Sequence, residues 1–213
     1  MKVLVIGNGG REHALVWKIH QSLLVTTLYC APGNGGTAAI AQSVAIAVDD
    51  IEGLVSFARD NQIDLTVVGP ELPLVLGIVD AFKKAGLRIF GPCKEAAQLE
   101  GSKVFAKTLM CKYGIPTAPF KVFSDSKAAK KYLLSIDPPV VIKADGLAAG
   151  KGVIIAHTNE EALSAVNEIL DKKIFGAAGA RIVIEECVEG EELSVLAFVN
   201  GSVIIPLASS QDH

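Results

Sequence analysis

Short apolar runs alternate with helical segments through residues 1–90, and this alternation constrains the fold more than any other feature. The runs predict strands at residues 2–6, 25–31, 44–48, 65–68 and 88–90. Helices are predicted between them; one is capped by Asp49 or Asp50, and another covers residues 73–85. Because strands rich in Val, Ile and Leu are typical of buried parallel sheets, the pattern predicts a doubly wound α/β domain.

A different pattern begins after a linker at residues 114–119, which is rich in glycine and proline. A helical stretch over residues 98–113 precedes this linker. The strands predicted after it lie at residues 121–123, 140–142, 153–155, 181–184, 193–199 and 202–207. The helices lie at residues 125–136, capped by Asp125, and 159–172, capped by Asn159. The chain is therefore predicted to contain a second, differently organised unit.

Charge and composition argue against several classes of function. The net charge of −3 indicates no broad basic surface, so nucleic acid is not an expected partner. The apolar runs are too short to span a bilayer, and the N-terminal residues form a strand and a turn rather than a secretory signal. Reduced thiols in a cytosolic protein account for the scattered cysteines, which are Cys30, Cys93, Cys111 and Cys187.

Residues 140–156, VVIKADGLAAGKGVIIA, are the clearest candidate for a binding site. Two apolar strands flank a tip of small residues that carries Lys143 and Lys151. Glycines in the tip leave backbone N–H groups accessible, and successive N–H groups favour anionic oxygens. A lysine at the end of an apolar strand needs an anion, and such a pair at about 4 Å gives about 4 kcal/mol of attraction. The tip predicts a phosphate site; a surface hairpin with solvated lysines is the alternative, since no standard phosphate motif is present.

Two loops at the carboxyl ends of predicted strands carry further candidates. Residues 7–12, GNGGRE, join the first strand to a helix, as phosphate-binding turns do. As a dinucleotide fingerprint the turn is weak, because Glu12 stands where a third glycine is needed. We expect Glu12 to be an acid favoured by the helix dipole, and His13 to have a packing role or a local hydrogen bond rather than to bind a metal. Glu71 follows the fourth strand, and it either contacts a ligand or is a solvated loop acid.

A cluster of acids follows the strand predicted at residues 181–184. It comprises Glu185, Glu186, Glu191 and Glu192. Backbone groups at a strand end can bind the edge of an adenine, and a nearby carboxylate can accept hydrogen bonds from ribose hydroxyls. Alternatively, the carboxylates could hold Mg²⁺, which takes one or two carboxylates together with substrate phosphates.

A set of motifs makes the whole chain similar to a known family. They are GNGGREHAL at Gly7, APGNGGTA at Ala31, VVGPE at Val67, FGP at Phe90, AAQLEGSK at Ala96, GIPTA at Gly114, KADGLAAGKGV at Lys143, FGAAG at Phe175, IEE at Ile184, GEE at Gly190 and SQDH at Ser210. The set resembles the ATP-grasp superfamily and, within it, the glycinamide ribonucleotide synthetases, or phosphoribosylamine–glycine ligases. KADGLAAGKGV and GNGGREH together are highly specific.

The resemblance implies an α/β fold in which a doubly wound parallel sheet domain precedes an ATP-grasp α+β domain. The first domain would cover residues 1–100, and a connecting helix and linker residues 101–119. The ATP-grasp lid subdomain would cover residues 120–190, and its core subdomain would begin at residues 191–213.

Members of this family are considerably longer than 213 residues. Their ligands for Mg²⁺ or Mn²⁺ are expected downstream of residue 213, and none within this chain. We therefore expect these residues alone not to complete the reaction. We also expect residues 193–207 to expose an apolar surface that promotes association.

The resemblance further implies a cytoplasmic enzyme of purine biosynthesis with three small-molecule substrates: ATP, glycine and 5-phosphoribosylamine. ATP would phosphorylate the glycine carboxylate, and the amine of phosphoribosylamine would then displace phosphate to give glycinamide ribonucleotide. Catalysis would consist of positioning and charge neutralisation without a protein nucleophile.

Roles follow position by position from the same resemblance. Lys103 and Lys143 would bind phosphates under a mobile lid formed by residues 144–152. The lid residues implicated in ATP binding are Gly146, Gly150, Lys151 and Gly152. The residues that would meet adenine or ribose are Glu185, Glu186, Val188 and Glu192. Phosphoribosylamine would be bound by Gly9, Gly10, Arg11 and Glu71, with Asp212 near its amine.

Three alternatives remain open at this point. An NAD-dependent oxidoreductase could be argued from residues 7–10, but it predicts an acid after the second strand, where the chain has Cys30, Ala31 and Pro32. A non-catalytic nucleotide-binding module is the second alternative. The third is an ATP-grasp ligase that uses a different acid or amine.

Overall fold

A five-stranded parallel sheet forms the first half of the protein in a computed structural model that describes residues 1–148 and 150–211. Its strands are β1 (Lys2–Gly7), β2 (Thr27–Pro32), β3 (Gln42–Ser43), β4 (Leu65–Val68) and β5 (Ile89–Phe90). Their order in the sheet is β3-β2-β1-β4-β5. The chain turns back beside β1, so the loops after β1 and β4 are neighbours at the carboxyl edge of the sheet. The predicted doubly wound arrangement is confirmed.

Helices cover both faces of this sheet. α1 (Gly10–His20) packs on one face, and α2 (Ile51–Asp60), α3 (Glu71–Leu76) and α4 (Ile78–Lys84) pack on the other. α5 (Lys94–Gly101) packs on α3, and α6 (Lys103–Tyr113) packs on α5 and leads into the second half of the chain. Asp50 caps α2 as predicted, because its side chain accepts a hydrogen bond from Gly53 N at 2.9 Å. One face of the sheet packs Val3, Val5 and Val16, and the other packs Leu4, Ile6 and Phe82 among other residues. The strands alternate their side chains between these two cores.

The second half contains a four-stranded antiparallel sheet with the order β6-β9-β7-β8. Its strands are β6 (Phe120–Phe123), β7 (Val140–Ala144), β8 (Val153–Ala156) and β9 (Ile182–Glu186). Two helices, α7 (Ser126–Leu133) and α8 (Asn159–Val166), cover one face and enclose a core that includes Ile142, Ile182 and Ile184. β7 and β9, the central strands, carry the residues of the candidate site.

A separate hairpin, β10 (Ala197–Asn200) and β11 (Val203–Pro206), follows this sheet. Many large apolar side chains of residues 193–207 are exposed, and each of these has at least 43% of its surface accessible. The ring of Phe198 meets that of Phe90 edge-on, with centroids 5.8 Å apart, and this contact joins the hairpin to the first domain. The apolar surface expected here is therefore present.

Several predicted boundaries are wrong, for local reasons. The helix predicted over residues 73–85 is two helices, because Gly77 adopts a left-handed conformation with φ of +97°. The helix over residues 98–113 is likewise divided at Ser102, which is extended and caps α6 through a hydrogen bond from Phe105 N. Periodicity alone does not reveal a break when both helices keep an apolar face.

The remaining errors concern strands and one cap. The strand predicted over residues 44–48 is wrong, because the chain leaves the sheet after β3 while the side chains of Val44 and Ile46 still pack on the core. The strand predicted over residues 193–199 begins only at Ala197. α8 is capped by Thr158 rather than Asn159 and continues as a π-helical turn at Asn167–Asp171. No helix in residues 1–148 or 150–211 has the length and apolarity needed to cross a membrane.

Asp145 joins three separate segments just beyond the end of β7. Its Oδ1 accepts hydrogen bonds from Ser102 Oγ at 2.7 Å and Val104 N at 3.0 Å, both at the start of α6. Its Oδ2 accepts from Nε and Nη2 of Arg181 at 3.0 and 2.5 Å, before β9. Burial would by itself raise the pKa of Asp145, but the hydrogen bonds from Ser102 and Val104 and the guanidinium of Arg181 outweigh it and hold the pKa below its usual value.

We expect Asp145→Asn to lower the free energy of unfolding by about 2 to 4 kcal/mol at pH 7, because it leaves Arg181 facing an amide donor. The pKa of Asp145 is lower in the folded than in the unfolded protein, so its contribution is complete above the unfolded value of 3.8 and is lost as the pH falls through the folded value. Urea titrations at several pH values should therefore show the difference from the unmodified protein shrinking below about pH 4.

The matched control is Asp171→Asn, because Asp171 accepts hydrogen bonds from Lys130 and Ser126 on an exposed surface. The loss of stability at pH 7 should be clearly smaller there. Equal losses for the two variants would contradict a central role for Asp145.

Candidate functional site

A cleft of about 540 Å³ lies between the first domain and the hairpin tip, and its walls come from both. Arg11 and Glu71 contribute from the first domain, whereas Lys103 stands at the start of α6. The tip contributes Leu147, Ala148, Gly150 and Gly152, and Val153 lies at the start of β8. Residues that the sequence assigned to two different substrates thus line a common cleft.

Arg11 and Glu71 face each other because β1 and β4 are adjacent in the sheet. Arg11 is in the first turn of α1, after β1, and Glu71 begins α3, after β4. Arg11 Nη2 lies 3.1 Å from Glu71 Oε1. A pair as exposed as this one adds little stability, so both groups can be redirected to a polar ligand at small cost.

A second cavity, of about 210 Å³, adjoins this cleft and contains both lysines predicted to bind phosphate. Its lining comprises Leu99, Glu100, Lys103, Ala106, Lys107 and Lys143. Lys103 and Glu100 line both cavities, which are therefore neighbours. The two predicted lysines, far apart in the sequence, thus face one cavity.

Lys103 is partly buried, and its ammonium donates a hydrogen bond to Gly146 O at 3.3 Å. Burial lowers the pKa of Lys103, and the nearby charge of Lys143 lowers it further against the opposing effect of Asp145 and Glu100. An anion placed between the two lysines would counter both lowering effects. This electrostatic arrangement favours a phosphate or a carboxylate as the ligand.

Glu185 is the buried acid of the site, with only 6% of its side chain exposed. Val141 of β7 lies directly opposite Glu185 of β9, and Lys143, two residues along β7, is therefore its diagonal neighbour on the same face. Lys143 Nζ forms an ion pair with Glu185 Oε1, and Lys107 Nζ lies 2.5 Å from Oε2. One carboxylate thus lies between two ammonium groups.

The predicted tip glycines are constrained by close packing in two of three cases. A Cβ at Gly146 would lie 2.8 Å from Ala178 Cα, and one at Gly152 would lie 2.7 Å from Ala148 Cβ. Gly150 has open space around it, and its φ of +76° requires glycine. Lys151 is exposed at the tip, and its backbone N–H closes a turn by donating to Ala148 O at 2.9 Å.

Other predicted residues lie outside these cavities. Glu186, the last residue of β9, and Val188 and Glu192 beyond it are exposed, and they line none of the cavities described above. Asp212 lies outside the described residues. Gly9 is the N-cap of α1, and Gly10, its first residue, has open space around its α-carbon.

The glycine turn after β1 is built around the chain's own Glu12. Gly9 N donates to Glu12 Oε2 at 2.7 Å, and a Cβ at Gly7 or Gly69 would overlap the Glu12 side chain. Glu12 is buried, and its Oε1 has no hydrogen-bond partner among the described residues. The expectation of a simple first-turn acid was therefore incomplete: Glu12 occupies space that a dinucleotide pyrophosphate would need. His13 has the expected packing role, since its imidazole lies against Gly36.

The sequence analysis missed Ser102, Lys107, Asp145 and Arg181. Lys107 offered one signal, because it lies four residues after Lys103 on the same face of a helix. Asp145 and Arg181 offered none, since hydrogen bonding across β7 and β9 decides their contact. No group of three potential metal ligands is present in residues 1–148 and 150–211.

Comparison with known proteins gives two matching family models. The model "Phosphoribosylglycinamide synthetase, N domain" matches residues 1–100, and "Phosphoribosylglycinamide synthetase, ATP-grasp (A) domain" matches residues 101–213. Phosphoribosylamine–glycine ligase of Salmonella typhi is 59% identical over 215 residues, and that of Escherichia coli (strain K12) is 58% identical. These alignments cover 100% of this chain and 50% of each relative, so the chain spans about half the length of the curated relatives it matches.

Two solved structures also match this chain. The crystal structure of phosphoribosylamine–glycine ligase from Thermotoga maritima matches with a TM-score of 0.81 and 34% identity, over 98% of this chain and 49% of the other. An N5-carboxyaminoimidazole ribonucleotide synthetase in complex with ADP matches with a TM-score of 0.71 and 17% identity, over 98% of this chain and 53% of the other. The second match shows the shared fold alone.

We expect Gly69→Ala to lower the free energy of unfolding by about 1 to 3 kcal/mol, because its Cβ would overlap the buried Glu12 side chain. Gly10→Ala is the matched control, since nothing lies within 4 Å of its Cβ position at the start of a helix. Alanine favours helix over glycine, so this variant should be neutral or slightly more stable. Urea denaturation measures both, and a stable Gly69→Ala protein would contradict the packing described for Glu12.

Proposed function

The chain belongs to the phosphoribosylglycinamide synthetase family, and on that premise we propose that it carries the ATP and substrate sites of a phosphoribosylamine–glycine ligase. The observation that carries this proposal is the pair of adjoining cavities. One contains Lys103 and Lys143, and the other joins Lys103 to Arg11 and Glu71. A nucleotide triphosphate and an amino sugar phosphate would therefore bind next to each other.

The reaction proceeds in two steps. The glycine carboxylate attacks the γ-phosphorus of ATP, giving glycyl phosphate and ADP. The amine of 5-phosphoribosylamine then attacks the carbonyl carbon and releases phosphate, and the amine loses a proton as the amide forms. Both steps depend on holding the reactants in line and neutralising phosphate charge, so no protein nucleophile is required.

Lys103 and Lys143 bind the phosphates of ATP. Each pair of charges at about 4 Å contributes about 4 kcal/mol at the effective dielectric of a protein surface. Support comes from the lowered pKa of Lys103, since burial and the charge of Lys143 both disfavour its ammonium form and a bound phosphate would counter both effects. Residues 144–152 close over the phosphates, and Gly150 and Lys151 among them are exposed.

Adenine and ribose bind at the end of β9. The strand ends at Glu186, and residues 187–189 have no regular structure, so their backbone groups are free to bind the adenine edge. Val188 covers one side of the base, and Glu192 accepts hydrogen bonds from the ribose hydroxyls. The exposure of these side chains is compatible with a ligand that covers them.

Phosphoribosylamine binds at the carboxyl edge of the first sheet. Gly10 offers its backbone N–H at the start of α1, where the helix dipole favours a phosphate, whereas the N–H of Gly9 is already donated to Glu12, so Gly9 only lines the pocket. Arg11 provides a positive charge, and Glu71 accepts hydrogen bonds from the amine or the ribose. Asp212 would act at the same amine.

In this division of roles, residues 1–100 hold phosphoribosylamine and residues 120–190 hold ATP. Residues 101–119 connect them and contribute Lys103 to the ATP site. Mg²⁺ or Mn²⁺ is implied by the family and would neutralise phosphate charge when bound. The described residues do not offer a set of ligands that fits such an ion.

We expect Lys143→Ala and Lys103→Ala to weaken ATP binding by at least about tenfold in the protein at its natural length, because each removes a charge from the phosphate cavity. Isothermal titration calorimetry with ATP measures the change. Lys130→Ala is the control, since Lys130 pairs with Asp171 on the surface. NAD should cause no thermal shift with any of these proteins. Unchanged ATP affinity in Lys143→Ala would contradict the assignment.

We expect Arg11→Ala to raise the KM for phosphoribosylamine by about tenfold while the KM for ATP changes less than about twofold, since Arg11 faces the cleft and not the inner lysine cavity. Mass spectrometry of glycinamide ribonucleotide formed from glycine, ATP and phosphoribosylamine provides the rate. Arg59→Ala, in the last turn of α2, is the control. Product formation with another amino acid in preference to glycine would instead identify a ligase of different substrate.

A further inference from the structure

We propose that Lys107 is a positioning residue that keeps Glu185 paired with a positive charge when Lys143 moves from Glu185 to the nucleotide phosphates. This inference rests on the proposed function, because the phosphates are what draws Lys143 away. It assigns a role to a lysine that the nucleotide itself need not contact. Three observations carry it: the partners of Lys107, the partners of Lys143, and the burial of Glu185.

Lys107 is fixed in place from several sides. Its ammonium donates hydrogen bonds to Thr117 Oγ1 at 2.7 Å and to Ala118 O at 3.3 Å, and it lies 2.5 Å from Glu185 Oε2. The ring of Phe120 lies below it, 5.0 Å from centroid to Nζ. Only 11% of the Lys107 side chain is exposed, so moving it would break several contacts at once.

Lys143 is held far less firmly. Among the described residues its ammonium has a single ionic partner, Glu185 Oε1, and 26% of its side chain is exposed. It also lines the cavity that contains Lys103. Two of its three N–H groups are therefore available to an anion in that cavity. Of the two lysines on Glu185, Lys143 is the one that can leave.

Glu185 explains why the second lysine matters. Its carboxylate is 6% exposed, and a buried charge that loses its partner is strongly destabilising. With Lys107 present, Lys143 can turn to a phosphate and leave Glu185 still paired. Without Lys107, the movement of Lys143 to the nucleotide would leave the buried carboxylate with no positively charged partner. Lys107 thus supports ATP binding through Glu185 rather than through its own contact with ATP.

A double-mutant cycle tests this mechanism, because Lys107 also lines the lysine cavity and could bind phosphate directly. Calorimetric titrations with ATP would compare the natural-length protein with Lys107→Met, Glu185→Gln and the double variant. We expect Lys107→Met to weaken ATP binding by about tenfold alone, but by less than about twofold in the Glu185→Gln background, where no buried carboxylate can be left without a cation. Equal loss in both backgrounds would overturn the proposal and identify Lys107 as a direct ligand.

Lys107→Arg is the rescue variant, because it keeps a positive charge next to Glu185. It should keep the affinity for ATP within about threefold of that of the unmodified protein. Should Lys107→Met prove unstable in thermal denaturation, Thr117→Val replaces it, since it frees the Lys107 ammonium without removing a charge. We expect Thr117→Val to weaken ATP binding by about threefold and to have no effect with Glu185→Gln. Unchanged affinity in Thr117→Val would count against the role of Lys107.

A failure of this inference can be distinguished from a failure of the proposed function. Loss of ATP binding in Lys143→Ala together with full affinity in Lys107→Met would overturn this inference alone. A lack of ATP binding by the unmodified protein would overturn the proposed function and this inference with it.

Discussion

The geometry of the site depends on the hydrogen bonds that the buried carboxylate of Asp145 accepts. It accepts hydrogen bonds from the start of α6 on one oxygen and from Arg181 on the other, while its backbone O accepts from Lys103 N at 3.0 Å. The segment before β9, the end of β7 and the first turn of α6 are thereby locked together. Lys103 and Lys143 lie on two of these segments, so their shared cavity follows from this junction.

The cavity next to that junction has more positive than negative side chains, and this excess of positive charge favours a phosphate ligand. Three ammonium groups, those of Lys103, Lys107 and Lys143, line one small cavity, and the buried Glu185 is paired with two of them. Lys107 is held by neutral partners as well, whereas Lys143 depends on Glu185. A site of this kind holds Lys107 in place without a ligand, and it still leaves Lys143 free to respond when an anion enters.

The first domain shows how one residue can redirect a common turn. A strand, a glycine-rich turn and a helix usually predict a phosphate beneath the turn. Here Glu12 folds back onto Gly9 N and fills the space against Gly7 and Gly69, so any ligand must bind further out. A ligand that binds further out would contact Arg11 and Glu71, which line the cleft shared with the hairpin tip. Two halves of different architecture thus meet at one site.

The sequence by itself determined the strand and helix order of the first domain, the hairpin with its two lysines, and the family, because these depend on local periodicity and on contiguous motifs. It did not determine the breaks at Gly77 and Ser102, which arise from backbone conformation within continuous apolar patterns. Nor did it reveal the partners of Glu185, since Lys107 and Lys143 approach it from a helix and a neighbouring strand. Only the tertiary structure decided which charges are paired, because burial and distance between remote residues are set by packing rather than by any local pattern.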